Sequence, residues 1–159
     1  MNVVILPLPL QQHQLHNKLI MGLKSLFPEE MMEGKGASSL TLETIAGKLT
    51  YFHEQLHLLH WQTSSYAEHV ALGGLYDYVQ DVKDEIVEKI MGYTGKKPRA
   101  FKIEPLADNA DCRGVVSSLI AFAKQLEEFG ESNNMPDIEN ISQSLSGEAA
   151  KVKFLLTLS

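Results

Sequence analysis

The chain has a single cysteine, Cys112. One thiol cannot close an intrachain disulfide and cannot build a cysteine-rich zinc or iron–sulfur framework. It is also a poor start for a nucleophile: Asp111 opposes thiolate formation, Arg113 favours it, and no histidine lies nearby in sequence. A glycine-rich phosphate loop is missing, because Gly73-Gly74 falls inside a helical pattern. Long hydrophobic runs are missing as well. The most apolar stretch, Met1 to Leu10, has no basic start and is broken by Pro7 and Pro9. It reads as an extended arm packed on this subunit or a neighbour, not as a leader or a membrane span. Positive charge is in deficit, with 14 Lys and Arg against 20 Asp and Glu, a net charge of −6. That balance argues against binding driven by phosphate neutralisation, so nucleic acid is not expected as a partner. A cytoplasmic protein with no membrane association is the expectation.

What remains is an ordinary globular composition, 44% apolar and 21% charged over 159 residues, enough for one domain with its own core. Residues 1–38 read as an N-terminal arm followed by a short helix over 11–27, and residues 39–159 as the main body. From Thr41 to Gln62 the residues Leu42, Ile45, Leu49, Phe52, Leu56 and Leu59 recur at steps of three and four. This is the seam of a bundle helix about 33 Å long at 1.5 Å per residue. Ser65 and Glu68 form a Ser-x-x-Glu capping box for a second helix that runs to about Tyr93, where Gly95 and Pro98 stop it. Residues 99–108 look irregular. A third helix is predicted over Val115 to Phe129 and a fourth from Pro136 to Leu156, while strand-type alternation is nowhere convincing. The fold class is therefore all-α, an antiparallel four-helix bundle with an extra N-terminal helix.

Four of the six histidines and many carboxylates fall between His53 and Glu88. Advancing 100° per residue puts His53 and His60 together on one flank of the first seam, with His57 further round towards solvent. On the second helix Asp77, Asp81, Asp84 and Glu88 line a stripe beside the apolar face, with Glu85 closer still to it. Each residue alone has an ordinary reading, a boundary histidine or a solvated carboxylate that Lys83 or Lys89 partners. Like charges stacked at this spacing repel unless something cationic lies between them, and imidazole with carboxylate is a ligand set for iron or manganese. Glu54 and His57 also show a Glu-x-x-His spacing, without a second copy elsewhere.

The stretch Leu56-His57-Leu58-Leu59-His60-Trp61, followed by Asp84-Glu85-Ile86-Val87-Glu88, resembles the Dps-like branch of the ferritin-like superfamily. That branch has a His-Trp pair ending its first bundle helix, a second histidine early in the next helix, and an Asp-x-x-x-Glu at a fixed interval after it. His69 stands 15 residues before Asp84 and 19 before Glu88, which fits the interval. The resemblance covers residues 40–158, with its specific motifs within 56–95. It implies a ferritin-like homo-oligomer in which His60 and His69 form one half of an iron site. Asp84 and Glu88 of a neighbouring subunit form the other half, and Fe(II) is oxidised there. Additional metal candidates are His57, Asp81 and Glu85. Trp61 would pack near the site or simply anchor the helix end.

The sequence departs from that pattern in three places. The interval from His60 to His69 is short. Gly73 stands where the family has an acid one turn after the second histidine. A Lys-rich N-terminal tail is absent, Lys18 being the first Lys or Arg. A looser resemblance joins His57 to Thr63 and Tyr66 to His69 to ferritin-like proteins of unknown function from tailed bacteriophages. Two alternatives therefore stand beside the iron reading. One is a non-catalytic assembly or virion-associated module that has lost a working metal site. The other is a bundle that binds metal within one subunit through His53, His57 or His60.

Overall fold

The computed structural model describes residues 40–158; the expected N-terminal arm and short helix lie outside them. The described residues form four helices and no strand. These are α1 (Leu42–Gln62), α2 (Tyr66–Thr94), α3 (Cys112–Ser132) and α4 (Pro136–Leu155). None of them is long and apolar enough to cross a membrane.

The ends of the helices follow local chemistry. Thr41 caps α1, its side-chain oxygen accepting from the Thr44 N–H at 3.2 Å. Ser65 caps α2 by accepting from the Glu68 N–H, while its own N–H goes to Thr63 Oγ1 at 3.1 Å. Gly95 ends α2 in the left-handed region at φ 65°, its N–H bonded to the Met91 carbonyl. Asp111 starts α3 three residues before the predicted Val115, because its carboxylate accepts from the N–H groups of both Arg113 and Gly114. Pro136 opens α4 at a position where its missing N–H costs nothing.

Helices α1 and α2 pack as one pair and α3 and α4 as another; α2 also lies against α4 and α1 against α3. A cleft of about 910 Å³ at one pole is lined by Thr41 and Leu42 where α1 begins, Ile90 and Thr94 where α2 ends, Phe129 near the end of α3, and Met135 before α4. Helices α1 and α4 therefore run one way and α2 and α3 the other, so every neighbouring pair is antiparallel. The core is a single cluster, with Leu49, Leu56, Leu72, Ile86, Leu119, Leu126 and Leu145 completely buried within it.

Because α2 and α3 run the same way at opposite corners, the connection between them must travel the length of the bundle. Residues 95–111 do so along α1, and at about 3.3 Å per residue they have ample reach. Polar side chains of α1 hold this crossover at intervals of one to two turns. Glu43 accepts from the Arg99 N–H at 3.1 Å. Lys48 pairs with Glu104 at 3.5 Å. Gln55, completely buried, accepts from the Ala107 N–H at 2.7 Å and donates to its carbonyl at 2.9 Å. Gln62 does the same between the Asn109 N–H and the Asp108 carboxylate. The crossover thus delivers α3 to the pole where α1 ends and α2 begins, and that pole carries the histidines.

A stacked histidine pair and an aromatic row

Three histidines of α1 and one of α2 share a single face. His60 lies in the last turn of α1 and His69 in the first turn of α2, joined by the short turn through Thr63-Ser64-Ser65. Their rings stack with centres 3.7 Å apart and planes inclined by 22°. Each ring is held by the other's backbone: His60 Nδ1 lies 2.7 Å from the His69 carbonyl oxygen, and His69 Nδ1 lies 2.9 Å from the His60 carbonyl oxygen. A carbonyl only accepts, so both Nδ1 atoms carry the proton and both neutral rings have their lone pair on Nε2. Neither Nε2 has a hydrogen-bond partner among the described residues. The His60 carbonyl sits where a helix runs out of N–H donors, and the His69 ring supplies one.

Gly73 explains how the stack fits. It lies one turn after His69, and a Cβ built on it would meet His60 Cε1 and Nδ1 at 3.3 Å. The glycine that stands in place of an expected acid therefore faces the His60 ring and leaves room for it.

The row continues along α1. His57 stacks on Tyr76 of α2, with centres 4.2 Å apart and planes 28° apart, and lies 4.0 Å from the Trp61 ring. Tyr76 also meets His60 edge-on at 5.2 Å and His53 at 5.8 Å. His57 is therefore half-buried rather than turned to solvent, because Tyr76 and Trp61 close over it. Trp61 itself is no apolar anchor in the bundle: it is 66% exposed, and its contact is with the His57 ring.

The acidic candidates lie elsewhere. Asp84 and Glu88 are on α2, 15 and 19 residues beyond His69, which at 1.5 Å per residue is about 22 and 28 Å along the axis. Both are exposed, as are Asp81 and Glu85, and Glu85 pairs with Lys89 at 3.3 Å. Among the described residues no three His, Cys, Asp or Glu side chains come together as a group that holds a metal ion. One chain brings His60 and His69 together and leaves Asp84 and Glu88 apart from them.

At His53 the surroundings were not foreseen. Its Nδ1 lies 3.0 Å from Glu54 Oε1, and its ring centre is 5.9 Å from that of His57. Residues 53–57 read His-Glu-Gln-Leu-His, and this spacing, two imidazoles four apart on one helix face, is the sequence signal that marks them. Near the same pole the Cys112 thiol is held above its ordinary range, first by burial and then by the charges of Glu68 and Asp111. Arg113 does not offset them, so the thiol is a weak nucleophile.

Among curated proteins and among solved structures no match is found. A family model does match residues 60–156, from His60 through α2, the crossover, α3 and α4. The chain belongs to that family, described as a family of unknown function, DUF5856.

Proposed function

We propose that the protein is a ferritin-like, iron-binding homo-oligomer. In this reading Fe(II) is held between the His60 and His69 imidazoles of one subunit and the Asp84 and Glu88 carboxylates of another. The observation that carries the reading is the reciprocal pair of Nδ1–H···O=C bonds between His60 and His69. Metal-ligating histidines characteristically donate their other ring N–H to a carbonyl or carboxylate, which fixes the ring and leaves one nitrogen free for the ion. Here both rings are fixed that way, and a helix terminus supplies one of the carbonyls.

Ring geometry supports a stoichiometry of one ion per ring. A metal ion lies in the plane of the imidazole that binds it, about 2 Å from the nitrogen. Two planes inclined by only 22° with centres 3.7 Å apart do not meet at that distance. Each ring therefore takes its own ion, and the ring separation suits a two-ion site, in which ions stand about 3.5–4 Å apart. Asp84 and Glu88, four residues apart on one helix face, would bridge the pair. Two Fe(II) ions supply the two electrons that reduce one peroxide to two waters, with two protons taken up. The long crossover between parallel α2 and α3 supports the ferritin-like assignment, since bundles of that type have one such connection.

The test is anaerobic Fe(II) titration of the full chain, followed by addition of peroxide with absorbance readout of Fe(III). Two Fe(II) per chain in the wild type, lost in both His69→Ala and Asp84→Ala, is the expected result. No stoichiometric binding in the wild type would end the iron reading and leave the assembly-module alternative.

A further inference from the structure

A second group of ligands lies one to two turns before the stacked pair, and it does not depend on the iron reading. We infer that His53 and His57 chelate a single late first-row divalent cation, with Glu54 holding His53 from behind.

The geometry of this pair differs from that of His60 and His69 in the respect that matters. The two rings stand side by side on one helix face, four residues apart, with centres 5.9 Å apart and planes inclined by 55°. An ion about 2.1 Å from one nitrogen of each ring, with a cis angle near 90–110°, sets the ring centres about 4.5–5.2 Å apart. The observed 5.9 Å is longer than this, so His53, the ring not stacked on Tyr76, must turn towards His57 for the chelate to close. No comparable rotation converts a 22° stack into a chelate without breaking the two Nδ1–H···O=C bonds.

Both imidazoles are prepared for a ligand role by different means. His53 Nδ1 is 3.0 Å from Glu54 Oε1, and a carboxylate accepts, so the proton is on Nδ1 and the lone pair on Nε2. This carboxylate–imidazole arrangement behind a ligating nitrogen orients the ring and raises its basicity. His57 has no hydrogen bond to either ring nitrogen among the described residues; packing between Tyr76 at 4.2 Å and Trp61 at 4.0 Å sets its orientation. Two neutral imidazoles with the remaining positions open to water select Co(II), Ni(II), Cu(II) or Zn(II) over Mg(II) or Ca(II). Glu54 is engaged at the outer nitrogen of His53, so its role in this arrangement is to orient that ring.

The chain carries its own reporter, since Trp61 is its only tryptophan and lies 4.0 Å from the His57 ring. The experiment is titration of the full-length protein with Ni(II), an open-shell ion, read by Trp61 fluorescence, followed by displacement with Zn(II). Saturable quenching at one Ni(II) per chain, reversed by Zn(II), is expected. His53→Ala removes a ligand without touching Trp61 and should shift the midpoint at least tenfold; Glu54→Ala should shift it about tenfold through the outer carboxylate. Lys151→Ala, an exposed residue of α4 outside both groups of ligands, should leave the midpoint in place, with circular dichroism confirming that each variant keeps its helices. Absence of saturable quenching, an unchanged midpoint in His53→Ala, or a shift in Lys151→Ala as large as that in His53→Ala would each overturn the site. Failure of the Fe(II) titration alone would not, because its variants are different residues.

Discussion

Gly73 shows how one residue carries two readings. In the sequence it marks a missing ligand, since glycine has no side chain to offer. In the structure it is a slot, with His60 Cε1 and Nδ1 both at 3.3 Å from where a Cβ would stand. Alanine is better than glycine inside a helix by about 0.5–1 kcal/mol, and that gain opposes the crowding at His60. Gly73→Ala should therefore change the melting temperature little while displacing the His60 ring from its stack. Nitrogen NMR of the imidazoles checks this. The wild type should show Nδ1–H, Nε2-lone-pair rings at both His60 and His69, and the substitution should disturb that signature at His60. An unchanged spectrum would mean the glycine is incidental. Trp61 teaches the converse. Its size suggested an anchor, but burial depends on what neighbouring elements offer, and among the described residues the ring packed against it is that of His57.

At the scale of elements, the crossover is fastened to α1 by polar groups. Glu43 is a case where titration reports on that fastening. Its carboxyl is held below the ordinary range, first by the hydrogen bond from the Arg99 N–H and then by its own backbone N–H. A carboxylate whose pKa falls on folding stabilises the fold at pH values above its unfolded pKa. That contribution fades as pH drops through the folded value. Glu43→Gln should thus lower the melting temperature at pH 7, and the gap between variant and wild type should close as the solution is taken below the ordinary carboxylate range. A gap that stays constant with pH would show that the charge of Glu43 does not hold the crossover. The helices themselves were readable from their 3.6-residue periodicity, and Ser65, Gly95 and Pro136 marked their ends as expected. The route of the crossover was not readable. The groups that set it, Glu43, Gln55 and Gln62, have the sequence look of surface polar residues, and nothing in their spacing announces that one of them, Gln55, is completely buried around the backbone of Ala107.

For the whole molecule, the distances along α2 decide what a single chain can do. His69 and Asp84 stand on one rigid helix about 22 Å apart, so no motion of that helix brings them to one ion. A site using both must draw them from two subunits, and a two-fold interface that did so would contain two such sites. The separation of His69 from Asp84 was legible, because the interval can be counted in the sequence; the stacking of His60 on His69 was not, because it depends on the turn between α1 and α2. A shared site has a consequence that a site within one chain lacks. His69→Ala and Asp84→Ala should each fail to bind Fe(II) alone. In a mixed interface one site loses both partners, while the other pairs an intact histidine half with an intact acidic half. Random one-to-one co-assembly makes half of the interfaces mixed, so about a quarter of the wild-type Fe(II) capacity should return. Co-expression of the two variants, with Fe(II) stoichiometry measured on the purified mixture, checks it. Zero recovery in a properly assembled mixture would sink the shared site, whereas recovery near a quarter would assign His69 and Asp84 of one site to different subunits.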